Sequence, residues 1–270
     1  MLHRLQIAGT KYTAIALTNL QNQLAYVWDA FNRAFLILVF MFIFAQLWRA
    51  AFAAQGVTEI AGLTLSDTLW YFLIAEVMQL GQIRHDANIT QEVKDGSIAY
   101  TMGKPYNYLA YHFSNGLGEG LLKMGMVFLL GAPVTWYYAG IPAIHLRHLP
   151  FVLLILLIAM LVDFCILSII GLLAFVTEDT ASFRLIYQKI VFIFGGLLIP
   201  LDFLPAWLQR VAALLPFQLT TYAPARLFVA FNWPQFGRLL LSGIVWLLIL
   251  GALLWWQYRW ATRNLAINGG

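Results

Sequence analysis

The sequence contains few charged residues. Only 10% of its 270 residues are Asp, Glu, Lys or Arg, whereas 61% are hydrophobic and 16% are aromatic. In soluble globular domains about a quarter of the residues are charged, so the composition excludes an ordinary soluble domain and indicates an integral membrane protein. The net charge of +4 comes from basic residues scattered between apolar segments, which argues against a nucleic-acid-binding patch.

Cysteine and the motifs of metal or nucleotide chemistry are also scarce. The single cysteine, Cys165, excludes an intrachain disulfide framework and a multi-cysteine metal site. A phosphate loop of the form G-x-x-x-x-G-K-[ST] is absent, since the only Gly-Lys pair, Gly103-Lys104, runs into Pro105 without the upstream glycine. Nucleophile motifs and metal-binding histidine spacings are missing too. We therefore expect no catalytic residue, no metal and no cofactor in this chain, and no ATP hydrolysis by it.

Long apolar segments are what the sequence has in abundance. A hydrocarbon core about 30 Å thick needs roughly 20 apolar residues of helix, and six segments approach that length. Residues 1–31 mix Leu and Ile with basic and amide residues, which predicts a helix on the membrane surface. We predict an all-α integral membrane protein, a single transmembrane domain of residues 1–270 with six spans at 32–54, 64–83, 107–138, 149–176, 184–204 and 237–260.

The positions of Lys and Arg predict the orientation. Because cytoplasmic loops carry the excess of basic residues, the side with ten of them is predicted to be cytoplasmic, and with six spans both termini lie there too. The ten are Arg4, Lys11, Arg33, Arg84, Lys94, Lys104, Arg184, Lys189, Arg259 and Arg263. The other side has Arg49, Arg147, Arg210, Arg226 and Arg238.

Residues 84–105 form a polar, charge-dense interval between the second and third predicted spans. Asn88 is a suitable N-cap with Gln91 three residues later, and Gly96 is suited to end a helix. The pattern predicts a short cytoplasmic helix, and we hypothesise that this helix receives force from another protein. The alternative is an ordinary loop between two membrane helices.

Residues 200–235, between the fifth and sixth predicted spans, are apolar but divided by prolines into pieces too short to cross a membrane. We predict short re-entrant helices that dip into the outer leaflet. Non-helical backbone at this depth needs protein or a water-filled cavity around it, so the segment either caps a translocation route or packs on neighbouring spans as scaffolding. Its marker residues are Pro200, Pro205, Trp207 and Pro216.

Four ionisable residues fall inside predicted spans, where a charge is costly and often functional. Glu119 and Lys123 are one turn apart in the favourable order for an ion pair, which is either functional or purely structural. Asp163 has no partner nearby in sequence, so it is protonated or hydrogen-bonded across the bundle. Glu76 is the best candidate for lining a cavity. Around Glu119, glycines at 116 and 120 predict a close helix contact, within the chain or at a dimer seam.

The layout resembles the membrane subunits of ABC-2-type ATP-binding-cassette exporters, the permeases of drug, polysaccharide and lipid exporters. The resemblance rests on the cytoplasmic helix between spans two and three and on the proline-punctuated outer hairpin, from Ile199-Pro200 to Leu215-Pro216. Asp95-Gly96-Ser97-Ile98 followed by Lys104-Pro105 is similar to an uncharacterised permease subfamily within that class.

The resemblance implies a function and a set of partners. The helix in 84–105 would be a coupling helix that docks on a separate ATPase subunit, and Glu92, Lys94, Asp95 and Gly96 are the expected contacts. Two ATPase copies would bind ATP and Mg, and a second permease chain, identical or homologous, would complete the dimer in a prokaryotic cytoplasmic (inner) membrane. The expected activity is export of an amphipathic, lipid-like or drug-like substrate. The alternative is an ion-coupled secondary transporter that uses Glu76 and Asp163.

Overall fold

A computed structural model describes residues 2–25, 27–142, 146–177 and 179–268, and most of them are helical. The first half of the chain contains α1 (Leu2–Ala25), α2 (Val27–Ala34), α3 (Leu36–Gln55), β1 (Glu59–Ile60), β2 (Leu63–Thr64), α4 (Leu65–Leu80), α5 (His85–Lys94), α6 (Ile98–Met102) and α7 (Tyr108–Ala139). The second half contains α8 (Leu149–Leu172), α9 (Ala174–Thr177), α10 (Ala181–Phe194), α11 (Ala206–Leu214), α12 (Tyr222–Val229) and α13 (Trp233–Asn268), with short 3-10 helices at 146–148, 201–203 and 216–219.

Four helical segments in the described part of the chain are long and apolar enough to cross a membrane. They are Leu36–Gln55, Tyr108–Ala139, Leu146–Thr177 and Trp233–Arg263, and they coincide with four of the six predicted spans. The predicted spans 64–83 and 184–204 contain α4 and α10, which have only 16 and 14 residues. At 1.5 Å per residue these two helices are shorter than a hydrocarbon core of about 30 Å.

Glycines end both of the shorter helices. Gly81 is the C-cap of α4. Gly195 is the C-cap of α10, and Gly196 follows it with a φ of +76°, a left-handed conformation that only glycine adopts without strain. The Tyr71 hydroxyl on α4 donates a hydrogen bond to the Gly196 carbonyl, at 2.7 Å. The fifth predicted span is therefore helical only as far as Phe194 and then turns back against α4.

A small β-hairpin, which the prediction of helices alone missed, lies between α3 and α4. β1 and β2 pair antiparallel, with Glu59 opposite Thr64, and the two residues of the turn, Ala61 and Gly62, both have positive φ, as tight hairpin turns require. Thr64 then caps α4: its hydroxyl accepts from the Asp67 N–H, and the Asp67 carboxylate accepts from the Thr64 N–H. This capping box fixes the point where α4 begins.

α4 lies at the centre of the bundle. All its residues from Thr68 to Met78 are buried, because it packs against α3, α7 and α12. Glycines on α7 permit the close approach: a Cβ at Gly116 or Gly120 would collide with Ile83 or with the Gly81 carbonyl. The close contact predicted for these glycines is thus with residues 81–83 of the same chain. Gly118, between them, lies against the backbone of α1.

The outer segment folds into short pieces. The 3-10 helices start beside Pro200 and Pro216, and α11 starts after Pro205. α12 is buried among α4 and α8, whereas Trp207 on α11 is 63% exposed. The Arg226 guanidinium on α12 joins two parts of the segment, because it donates to both carboxylate oxygens of Asp202 at 3.2 Å. The depth of these pieces in the membrane stays a prediction.

Candidate functional site

The polar interval between α4 and α7 folds into two helices, α5 and α6. α5 begins at His85, with Arg84 as its N-cap residue and no side-chain capping bond, so the expectation that Asn88 caps the helix is wrong. Asn88 lies within α5, on its exposed side. After α5 ends at Lys94, Gly96 adopts a φ of +74°, and the Ser97 N–H donates to the Asp95 carboxylate at 3.0 Å.

α5 has two contrasting faces. His85, Asp86, Ile89 and Thr90 are buried. The residues on the opposite face are exposed, and they are Ala87, Asn88, Gln91, Lys94 and Asp95. The spacing of three and four residues within each set is that of the two sides of an α-helix. One face therefore belongs to the protein interior, and the other is free to meet something else.

A glycine on α8 lets the buried face approach closely. A Cβ at Gly171 would lie 3.1 Å from the Asp86 Cα and 3.2 Å from the Ile89 Cβ, so any larger residue there would push α5 outward. One turn earlier on α8, Ser168 contacts the imidazole of His85. α8 thus presents both the space and a polar anchor for α5.

The imidazole of His85 is fixed at both nitrogens. Nδ1 lies 3.0 Å from the Ile83 carbonyl oxygen, and Nε2 lies 2.8 Å from the Ser168 hydroxyl. Nε2 also lies 3.2 Å from the Phe164 carbonyl oxygen, so each nitrogen faces a carbonyl, and the single proton of the neutral ring serves one of the two. Burial of the ring lowers the pKa of His85 to about 3, since a charged imidazolium is disfavoured there. His85 is therefore a neutral link between α5 and α8.

Polar contacts also join α5 to the region around α10. The Arg184 guanidinium on α10 lies 3.5 Å from the Asp86 carboxylate. The Thr90 and Thr180 hydroxyls lie 2.6 Å apart, and Lys94 pairs with Asp179 at 3.4 Å. Burial raises the pKa of Asp86, and the positive charge of Arg184 partly opposes that rise. These three contacts run along the length of α5.

Glu92 connects α5 to α7 and α6. Its carboxylate accepts hydrogen bonds from the Tyr108 hydroxyl at 2.7 Å and the Thr101 hydroxyl at 2.9 Å, and it lies 3.6 Å from His112 Nε2. Burial alone would raise the pKa of Glu92, but the bonds from these three side chains outweigh it and hold that pKa below its ordinary value. The carboxylate of Glu92 is thus engaged within the chain.

The four residues expected to meet an ATPase are therefore divided by the fold. Lys94, Asp95 and Gly96 are exposed at the end of α5, where a partner has access to them. Glu92 is turned towards α7. The sequence does not predict the roles of His85, Asp86 and Arg184, because no local pattern pairs residues about 100 positions apart. The one feature that marks them in the sequence is their polarity next to apolar spans.

The intramembrane polar residues have different surroundings. Lys123 forms an ion pair with Glu119 on the same helix. Asp163 accepts hydrogen bonds from the Tyr187 hydroxyl and from Gln82 Nε2, and both partners are distant from it in sequence. Glu76 is buried on α4, and no hydrogen bond joins its carboxyl to another described residue. None of these four residues contacts the exposed face of α5.

The fold defines a multi-pass α-helical membrane protein that displays a two-faced polar helix between long apolar segments. Residues 35–269 match the family model described as ABC-2 family transporter protein. The chain belongs to this family of ABC transporter permeases, which are the membrane components of transport complexes and not themselves catalytic. No curated protein sequence matches the chain significantly. Membership of the family implies partnership with an ABC ATPase subunit.

Proposed function

We propose that this chain is the permease subunit of an ATP-driven exporter of an amphipathic, lipid-like or drug-like substrate, and that α5 and α6 dock on its ATPase. The observation that carries the proposal is the two-faced character of α5. Its buried face is anchored to α7, α8 and α10, whereas Asn88 and Gln91 on its outer face are exposed, as is Lys94, whose ammonium pairs with Asp179. A family whose members work with an ATPase accounts for that uncovered face.

The contacts of α5 suggest how force passes into the bundle. A push on the outer face acts on a helix fixed to α8 through His85, to α10 through Asp86, and to α7 through Glu92. Close-packed side chains and hydrogen-bond networks leave little free space, so a displacement of one helix is carried to the helices bonded to it. α10 has a glycine pair at its outer end, where the chain turns back. Movement of α5 would thus tilt α10 about that turn.

The proposed assembly extends the partnership with an ATPase subunit that membership of the family implies. Two ATPase subunits bind ATP and Mg and face the α5–α6 surfaces of two permease chains, identical or homologous, in a prokaryotic inner membrane with both termini in the cytoplasm. The exposed Tyr100 of α6, at 73% exposure, extends the docking surface beyond α5. At the opposite end, the segment of 200–235 caps the route from outside.

The family also favours this function over an ion-coupled carrier. That alternative assigned proton transfer to Glu76 and Asp163. Asp163 is occupied by two hydrogen bonds from its own chain, an arrangement that suits a structural role in holding α10 against α8.

Co-purification tests the proposed function. The tagged chain is purified from its host membrane in mild detergent, and an ATP-binding subunit with ATPase activity is expected in the eluate. Asn88→Trp places a bulky side chain on the outer face of α5 and is expected to reduce the co-purifying ATPase at least tenfold. Asn22→Trp makes the same change on the exposed side of α1 and is expected to leave it unchanged. An eluate without any ATPase, or equal amounts with both variants, would contradict the proposal.

A further inference from the structure

A polar cavity opens between the end of α4 and the middle of α10. It has a volume of about 290 Å³, close to the lower limit of roughly 300 Å³ for small-molecule sites. Its lining residues are Gln79, Leu80, Gln82, Arg84, Gln188, Lys189, Phe192 and Leu197. Two cations and three amides line one cavity on the flank of a bundle whose other surfaces are mostly apolar.

The two cations have no acidic partner in the cavity. Arg84 and Lys189 are exposed, and neither forms a salt bridge with a described residue. Asp86 pairs with Arg184 and is also attracted electrostatically by Arg84, and Asp163 accepts hydrogen bonds from Tyr187 and Gln82. Both positive charges would attract an anion that enters the cavity.

The amides supply hydrogen-bond capacity beside the charges. The side-chain oxygen of Gln79 is buried and has no hydrogen-bond partner among the described residues. A buried polar group without a partner costs free energy until one arrives. Because an amide oxygen only accepts, this group would pair with a donor, such as the hydroxyl of a singly ionised phosphate monoester, while the two cations meet the charged oxygens.

Apolar residues share the lining of the cavity with the polar ones. They are Leu80, Phe192 and Leu197, and the exposed residues Leu185, Ile186 and Ile193 elsewhere on α10 are apolar as well. A ligand with its charged group between Arg84 and Lys189 would lay an attached hydrocarbon chain along this surface. The match is to an amphiphile rather than to a small free anion.

We propose that this cavity binds the anionic headgroup of an amphiphile, such as a phosphate monoester with an alkyl chain. The inference deepens the proposed function, on which its transport role rests, by assigning a substrate class. Arg84 is the residue directly before α5, and Lys189 lies on the helix that Arg184 ties to Asp86. A headgroup bound to both cations would therefore bridge the start of α5 and the helix α10.

The proposal is tested by equilibrium binding of radiolabelled dodecyl phosphate to the purified full-length chain in phosphatidylcholine nanodiscs. The assay contains neither ATP nor ATPase, so its result is independent of the co-purification experiment. Lys189→Gln and Arg84→Gln are each expected to weaken binding about tenfold or more, since each removes a charge-assisted contact. Lys189→Arg is expected to retain binding. Lys11→Gln removes the same charge from the exposed side of α1; it is the matched control and is expected to leave binding unchanged.

Competitors distinguish the sources of the anion. Unlabelled dodecyl phosphate is expected to displace the probe, whereas dodecylphosphocholine and inorganic phosphate at the same concentration are not. Equal displacement by dodecylphosphocholine would overturn the anionic headgroup, and equal displacement by inorganic phosphate would overturn the amphiphile. Absence of saturable binding to the wild-type chain, or unchanged affinity in both Gln variants, would overturn the site itself.

Discussion

Arg184 and Asp86 form an ion pair, 3.5 Å between guanidinium and carboxylate, that joins α10 to the first turn of α5. The Asp86 side chain is 2% exposed and the Arg184 side chain 19%, so water screens the pair poorly. One carboxylate oxygen of Asp86 has no hydrogen-bond partner among the described residues. Arg184 is therefore the main group that makes a buried negative charge tolerable at this position.

Arg184→Gln is expected to destabilise the protein, because it leaves the Asp86 carboxylate buried without its cation. The loss of one partner from a buried ion pair costs about 3–5 kcal/mol. Thermal unfolding of the purified chain in detergent would show a lower midpoint, and ATP-driven transport by the complex would fall with it.

The double variant Asp86→Asn with Arg184→Gln is the control for this pair. It removes both charges, so we expect it to recover most of the stability that the single change loses. If the two single changes and the double change were simply additive, the ion pair would have no role in holding α5 to α10.

His85 is expected to make stability fall as the pH is lowered. Its pKa is about 3 in the folded protein against about 6.5 when unfolded, so between these values the unfolded chain binds a proton that the folded chain does not. The contribution of the neutral His85 ring to the free energy of unfolding is fully present above about pH 6.5. It decreases as the pH falls towards 3, by at most about 1.4 kcal/mol per pH unit. Chemical unfolding from pH 7 to pH 5 measures this slope.

His85→Gln removes the group that titrates, so the variant is expected to have a smaller slope even where its absolute stability is lower. Equal slopes for the wild type and the variant between pH 7 and pH 5 would show that His85 binds protons alike in the folded and the unfolded protein. In that case the lowered pKa of a buried, neutral His85 ring would be wrong.

The ends of helices differ in how well the sequence predicts them. Gly96 was expected to stop a helix, and it follows the end of α5 with the positive φ that favours glycine. Local capping favours Asn88 as the N-cap residue, but the N-cap residue of α5 is Arg84, four positions earlier. His85 and Asp86 enter the helix because their side chains find partners on α8 and α10, and such contacts are not visible in local sequence.

The direction of a side chain is equally hidden from the sequence. The resemblance implies that Glu92, Lys94 and Asp95 all meet the ATPase. A helix turns about 100° per residue, so Glu92 and Lys94 point to different sides. The position of α7 determines which side is buried. Tyr108 and His112 on α7 contact the Glu92 carboxylate, so the side with Glu92 faces the protein. The four long apolar helices could be predicted from the sequence without knowledge of such contacts, because their length and hydropathy suffice.

Gly171→Leu is expected to displace α5 from α8. The site is already tight, with a Cβ position only 3.1 Å from the Asp86 Cα, and overpacking of this kind costs about 1–3 kcal/mol. We expect normal helix content by circular dichroism, faster hydrogen exchange in residues 85–94, and reduced ATP-driven transport.

Gly251→Leu is the matched control for this change. Gly251 also lies in a long helix, α13, but a Cβ there would meet nothing within 4 Å. If Gly251→Leu lowered transport as much as Gly171→Leu, the effect would be a general one of glycine replacement in membrane helices. Unchanged exchange in residues 85–94 of Gly171→Leu would contradict the close approach of α5 and α8.

Gly96→Val is expected to impair coupling, because valine is strained at a φ of +74°. The cost of a left-handed conformation with a side chain is roughly 1–2 kcal/mol, enough to change the population of the turn between α5 and α6 by a factor of about 5–30. Open space surrounds the position, since no atom lies within 4 Å of a Cβ there, so collision is not the cause. We expect lower ATP-driven transport and less ATPase on the purified complex.

Gly96→Asn separates conformation from size, because asparagine tolerates the left-handed region better than valine; we expect it to retain most of the transport. Gly56→Val is the second control. Gly56 has a φ of +63° and equally open surroundings, but it ends α3 at the opposite side of the bundle from α5. If strain at Gly56 lowered transport as much as strain at Gly96, loss of stability would explain both variants. If only Gly96→Val affected coupling, the turn after α5 would be part of the surface that meets the ATPase.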